Sequence, residues 1–226
     1  MELSPLFRLT SNKKEIPIIK EFIPKEIDIY IEPLVGDGFL FFYLNHNNNV
    51  INDPDTAIAN FYKQIKKQDS VFVSELKRIQ KEFLLLEDTR ENRRNFYRSY
   101  TRLETINNDI TNAIKFIMIA YENKILNIEN CYNEDYIKLF EKTIILNKNF
   151  PEVIKTSDTN NNFIFVEPHE FSIEEDVRLS DVFSNVKHAK IMLIVNDNEF
   201  TRKVYKKHIK KEYGLKEEKK LIITNY

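Results

Sequence analysis

The sequence predicts an α/β fold with a mostly parallel central sheet, and three observations carry that expectation. Strand-length apolar runs alternate with stretches of helical period. Residues 70–126 interrupt the alternation with helical spacing alone, as an inserted helical block does. Two of the three glycines, Gly36 and Gly38, stand together in a loop directly after a predicted strand.

The elements follow in chain order. Ile16, Ile18, Ile19 and Phe22 give Lys14–Phe22 the spacing of a short helix, and Pro24 stops it. Ile27–Glu32 alternates apolar and polar residues and reads as a strand ending in the turn Pro33-Leu34-Val35-Gly36-Asp37-Gly38. Phe39–Leu44 is a short apolar helix, Val50–Asp53 a second strand and Thr56–Ile65 a helix. Within the block, Leu76, Ile79, Phe83, Leu84 and Leu86 recur with helical spacing, as do Phe96, Tyr97, Tyr100 and Leu103. Ile110–Ile125 is helical again, residues 135–147 read as one more helix, and Pro151–Asn162 reads as a polar linker. Phe163–Val166 and Ala189–Val195 are apolar strands, with a helix at Asp181–Val186 between them. Glu199–Lys211 reads as a basic helix, and Leu221–Tyr226 closes the chain as a strand. The expected organisation is an α/β core of residues 1–69 and 149–226 with a helical insertion at 70–148.

Composition excludes several classes. Thirty-four basic residues against 35 acidic ones give a formal net charge of -1, so whole-molecule charge neither demands nor forbids nucleic acid. A single cysteine, Cys131, excludes an internal disulfide framework and a zinc ribbon, and fits a reducing compartment. The opening MELSPLFRLTSNKKE lacks the apolar stretch of a secretory signal. No run approaches the roughly 18 apolar residues of a membrane helix. The expectation is an intracellular protein without membrane attachment, with cytoplasm, nucleus and viral compartment all open.

The loop Glu32-Pro33-Leu34-Val35-Gly36-Asp37-Gly38 is the first candidate site, because glycines after a parallel strand let backbone approach a ligand. A tight strand-to-helix turn accounts for the same residues. Asp53, at the end of the next strand, stands where nucleotide-like ligands find an acid for ribose hydroxyls. A helix N-cap is the competing role, for Asp53 or for Asp55.

These residues carry a resemblance. The whole chain resembles the Dam-like, D12-class family of DNA adenine-N6 methyltransferases. Ser4-Pro5-Leu6-Phe7-Arg8-Leu9-Thr10-Ser11-Asn12-Lys13-Lys14 is similar to that family's opening, and Glu32–Gly38 to its methyl-donor loop. Ile51-Asn52-Asp53 with Asn60-Phe61-Tyr62 resembles its next acidic motif, and Ala113–Ile117 stands in the place of its target-recognition region. Ile194-Val195-Asn196-Asp197 and Leu221–Tyr226 resemble its late and closing strands. The resemblance implies a Rossmann-like class I methyltransferase fold with S-adenosylmethionine as cofactor. It places Lys13, Pro33, Gly36, Gly38 and Asp53 in the cofactor pocket, with Lys13 near the methionyl carboxylate and Asp53 near the ribose.

The chain departs from the family at the catalytic motif. Family members carry an Asp-Pro-Pro-Tyr type motif after the fourth strand. Its acid and a proline carbonyl accept hydrogen bonds from the adenine amine, and its ring stacks on the flipped base. The corresponding residues here are Glu167, Pro168, His169 and Glu170. Glutamate keeps the acid but adds a methylene, a displacement of about 1 Å that can cost ~100-fold in rate. His169 removes the second proline, and Glu170 puts charge where a ring would stack, forfeiting about 1–3 kcal/mol. Phe171 is aromatic but one residue late. His169 flanked by Glu167 and Glu170 also has the make-up of a metal or acid–base cluster, but drift at a site freed from catalytic demand is the simpler reading, and no metal is expected.

Arg90, Arg94, Arg98 and Arg102 recur every four residues and form a row suited to phosphate, diluted by Glu87, Glu91 and Glu104. Three readings stand open. The first is a degenerate adenine methyltransferase homologue, catalytically inactive, that binds DNA or acts as a structural partner or homo-oligomer. The second is an active enzyme using Glu167 and a neighbouring aromatic. The third is an inactive subunit of a heterodimeric methyltransferase.

Overall fold

The computed structural model describes residues 3–6, 15–87, 89–101, 109–122, 128–168, 171–215 and 219–226. Contacts divide the chain into two compact units. One comprises Met1–Ser11, Gly36–Asn45 and Asp55–Ile145. The other comprises Asn12–Val35, His46–Pro54 and Leu146–Tyr226.

The second unit carries the sheet. Its strands are β1 (Tyr30–Glu32), β2 (Asn49–Asn52), β4 (Phe163–Val166), β5 (Lys190–Asn196), β6 (Ile209–Tyr213) and β7 (Lys220–Thr224). The strand β3 (Thr143–Leu146) ends across the division between units. Among the described residues the seven strands run in the order β3-β2-β1-β4-β5-β7-β6. β1 is parallel to β2 and to β4, β4 is parallel to β5, and β7 runs antiparallel to both β5 and β6. The strand order reverses between β1 and β4, which makes their carboxyl ends the switch point where open α/β sheets bind ligands.

Burial explains the apolar strands. Ile31, Ile164, Val166, Ile191, Leu193, Val195, Leu221 and Ile223 pack into one cluster with Phe150, Val153, Leu179, Val182, Phe183 and Tyr205. These last come from the helices α8 (Phe150–Thr156) and α9 (Ile173–Asn185), and from Tyr205 just after α10 (Glu199–Val204). The alternate residues Tyr30, Phe163, Phe165, Met192, Ile194 and Ile222 are buried as well. A sheet covered on both faces gives near-continuous apolar runs rather than alternation. The helix α1 (Ile16–Ile19), continued by a 3₁₀ turn at Lys20–Phe22, belongs to this unit too.

The first unit is helical: α2 (Phe39–Leu44), α3 (Thr56–Lys67), α4 (Ser70–Leu84), α5 (Arg90–Thr101), α6 (Asp109–Glu122) and α7 (Glu134–Glu141). Aromatic contacts build its core. Phe42 meets Phe41, Tyr62, Tyr136 and Phe140, with centroids 4.9–6.4 Å apart, and Phe61 meets Phe116 at 5.1 Å. Cys131 is buried here, and burial pushes its thiol pKa far up.

Three sequence expectations need correction. Residues 135–147 are not one helix: α7 ends at Glu141, and the β-branched run Thr143-Ile144-Ile145 continues as β3. The expected linker 151–162 contains α8, which opens with Pro151 inside its first turn and buries Phe150, Val153 and Ile154. Glu199–Lys211 is not one basic helix: α10 stops at Val204, and Ile209-Lys210-Lys211-Glu212-Tyr213 alternates in exposure as β6. Its lysines mark a sheet edge, a common guard against edge pairing.

Candidate active site at the carboxyl edge of the sheet

The loops after β1 and β2 are fastened by one side chain. Asn52, fully buried, donates from Nδ2 to the Pro33 carbonyl at 2.8 Å and to the Lys148 carbonyl at 3.0 Å. Its Oδ1 accepts from the Lys148 amide at 2.8 Å, and its own carbonyl accepts from Val35 N–H at 2.9 Å. Asn147 Nδ2 donates to the Asp53 carbonyl at 2.8 Å. Pro33 and Asp53, two of the expected cofactor residues, therefore sit on loops cross-linked through Asn52.

Asp53 is buried, at 7% exposure. The N-cap of α3 is Asp55, whose carboxylate accepts from Ala57 N–H at 2.8 Å. The competing role for Asp53 is thereby assigned to its neighbour. Asp53 itself follows the last residue of β2, at that strand's carboxyl end.

In the other unit, Gly36 and Gly38 both take left-handed backbone, with φ of 48° and 68°. A side chain at either position would be strained, so these two glycines are required by the loop. The Gly36 carbonyl accepts from Tyr62 Oη at 2.9 Å, and Gly38 is the N-cap of α2. Lys13 lies outside the described residues.

Glu167 follows β4 at the switch point, and its surroundings are charged. Lys220, the first residue of β7, donates from Nζ to Glu167 Oε1 at 2.7 Å and to Glu15 Oε1 at 3.0 Å. Tyr213 Oη donates to Glu15 Oε2 at 2.8 Å. On β1, Tyr30 Oη donates to Glu32 Oε2 at 2.7 Å, and both are buried. Burial, then the charge and hydrogen bond of Glu32, then the charge of Glu167 hold the Tyr30 hydroxyl well above the usual tyrosine range. Burial pulls the Lys220 ammonium pKa down, but the charges and hydrogen bonds of Glu167 and Glu15 outweigh it, and the net displacement is upward.

The remaining motif positions divide. Pro168 follows Glu167 and is partly buried, while His169 and Glu170 lie outside the described residues. Phe171 packs on Phe150 at 5.3 Å, against the core cluster. Among the described residues no cluster of His, Cys, Asp and Glu is arranged to hold a metal.

On α5, Arg94 and Arg98 are exposed, and a concavity of about 520 Å³ is lined by Glu91, Arg94, Asn95 and Arg98. Arg90 opens α5, but its side chain and the whole of Arg102 lie outside the described residues.

The family model described as D12 class N6 adenine-specific DNA methyltransferase matches residues 11–136, more than half of the chain. This chain belongs to the D12 class of N6 adenine-specific DNA methyltransferases. The matched span of this D12-class protein contains Lys13, Pro33, Gly36, Gly38 and Asp53, and ends before β4. Type II methyltransferase M.CviBI of Paramecium bursaria Chlorella virus NC1A is 24% identical over 95% of this chain and 91% of its own length. Type II methyltransferase M1.LlaDCHI of Lactococcus lactis subsp. cremoris is 25% identical over 91% of this chain and 86% of its own. Type II methyltransferase M.MjaIII of Methanocaldococcus jannaschii is 31% identical over 60% of this chain and 48% of its own. Among solved structures, the putative methyltransferase yhhF from Escherichia coli covers 98% of this chain and 90% of its own at 10% identity, with a TM-score of 0.43.

Sequence reasoning missed Lys220, Glu15 and Tyr213. Lys220 is 53 residues from Glu167 and 205 from Glu15, so no local pattern joins them. Only the antiparallel β7 does so: Lys220 is paired with Asn196 at the carboxyl end of β5, which brings its side chain to the edge where β4 ends.

Proposed function

We propose that this D12-class chain keeps the methyl-donor half of the family's site, has lost efficient adenine methylation, and acts by binding DNA or a partner protein. The observation that carries the reading is the 2.7 Å bond between Lys220 Nζ and Glu167 Oε1. The acid that stands for the family's amine acceptor is engaged by a charged donor of the same chain. Its extra methylene displaces the carboxylate by about 1 Å, enough to cost ~100-fold. The nearest following ring, Phe171, is turned onto Phe150, so it adds none of the stacking of about 1–3 kcal/mol per base.

The donor half has the chemistry the cofactor needs. Asp53 would accept from the ribose hydroxyls of S-adenosylmethionine, Lys13 would pair with its carboxylate, and Pro33, Gly36 and Gly38 would present loop backbone. When bound, that cofactor supplies the methyl group. The D12 class implies DNA as the macromolecular ligand, and the exposed Arg94 and Arg98 of α5 support phosphate contact.

Methyl transfer from isotopically labelled donor to adenine-containing DNA tests the proposal. Incorporation should match that of Glu167→Ala. Transfer that Glu167→Ala abolishes would refute the loss of activity. A second reading, an active adenine methyltransferase with Glu167 as amine acceptor, is favoured by one observation: an acid is kept at the carboxyl end of β4, beside β1.

A further inference from the structure

Lys220 lies outside every motif that marks the family, yet it is the centre of the charged groups at the switch point. Glu15 precedes α1, Tyr30 and Glu32 come from β1, Glu167 follows β4, Tyr213 ends β6 and Lys220 opens β7. Two carboxylates, those of Glu15 and Glu167, hold one ammonium. The Lys220, Glu15 and Glu167 side chains are 23%, 16% and 15% exposed, so the ion pairs are largely withdrawn from water.

We infer that Lys220 is a built-in occupant of the amine-acceptor position. Its ammonium nitrogen holds the place on Glu167 that the amine of an extruded adenine would take. The inference rests on the proposed assignment of Glu167 as that acceptor. A primary ammonium and an exocyclic amine offer a carboxylate the same N–H donor at the same distance, here 2.7 Å. The ammonium is the stronger competitor, because hydrogen bonds between ionised partners are roughly twice as strong as neutral ones. Glu15 and Tyr213 reinforce it: Glu15 bonds the same nitrogen, and Tyr213 fixes the Glu15 carboxylate. A base amine that approaches Glu167 Oε1 must therefore displace a braced ion pair. This block is independent of the missing stacking ring, and one substitution removes it.

The experiment uses the full chain and two nucleosides. Lys220→Ala opens the position, and Lys220→Met does so with more of the stem's volume kept, should the alanine variant not fold. Adenosine, which carries the amine, should raise the melting temperature of the folded variant by about 3–5 °C at roughly tenfold excess over Kd. With S-adenosylmethionine saturating the donor pocket throughout, inosine, with a carbonyl in place of the amine, should leave the variant unmoved, and neither nucleoside should move wild type. Adding Glu167→Gln should reduce the adenosine shift, since the anionic acceptor is gone. No adenosine shift in either folded variant, or an equal shift with inosine, overturns the inference. Methyl transfer by wild type that depends on Glu167 would overturn the proposed function instead, so the two failures are separable.

Discussion

Replacing Lys220 with Met keeps much of the side-chain volume and removes the ammonium bonded to both Glu167 and Glu15. Stranding the partners of a fully buried ion pair costs about 3–5 kcal/mol. Here the three side chains retain 15–23% exposure, and water screens part of the penalty, so the expected loss is about 2–3 kcal/mol. For a domain of this size that is a fall in melting temperature of about 5–10 °C. Glu167→Gln in the same chain should recover roughly half of it, because only Glu15 then keeps a stranded charge, with a coupling of about 1 kcal/mol or more between the two sites. Lys220 has a raised pKa in the fold, so its contribution is fully present below the lysine value of the unfolded chain, about 10.4, and is lost as pH rises through the folded value. The gap between wild type and Lys220→Met should therefore hold from pH 7 to about pH 10 and close above it. Thermal melts followed by circular dichroism across that range provide the assay. A Lys220→Met protein within about 0.5 kcal/mol of wild type at pH 7 would refute the reasoning.

Other perturbations have separate readouts. Asp158 accepts from the Lys187, His188 and Ala189 amides at 2.8–3.2 Å; burial raises its pKa, but these bonds outweigh burial and lower it. Asp158→Ala should cost about 1–3 kcal/mol at pH 7, and the difference from wild type should shrink as pH falls below about 4, measured by urea unfolding. Gly38→Ala, at φ 68°, should lose about 1–2 kcal/mol in the same assay. Asn52→Leu, which removes the side-chain bonds to Pro33 and Lys148, should lose about 3 kcal/mol and weaken S-adenosylmethionine binding by roughly tenfold, read by calorimetry.

Much of the fold was legible because local pattern and tertiary burial agree. Phe39–Leu44 is read as a helix and Phe163–Val166 as a strand with the bounds they have in the structure. The failures lie where sequence period is ambiguous. Thr143–Leu146 follows a helix with no Gly or Pro between, so its β-branched run merged with α7. Ile209–Tyr213 is lysine-rich, and its alternation was masked by the helical charge run before it. The site divides in the same way. Pro33, Asp53 and Glu167 end strands and carry turn or acid signals that a single sequence reveals. Asn52 reaches across 19 and 96 residues to Pro33 and Lys148, and Lys220, Glu15 and Tyr213 act across 53 to 205 residues, roles that exist only once β7 lies between β5 and β6.

We propose a divided site, with the donor side kept and the acceptor side closed by the chain itself. Titration of S-adenosylmethionine into wild type, Asp53→Ala and Lys220→Met by calorimetry tests it most directly. The account predicts saturable binding to wild type, weakened tenfold or more by Asp53→Ala and unchanged within about twofold by Lys220→Met. No binding to wild type, or equal weakening by the two substitutions, would contradict it.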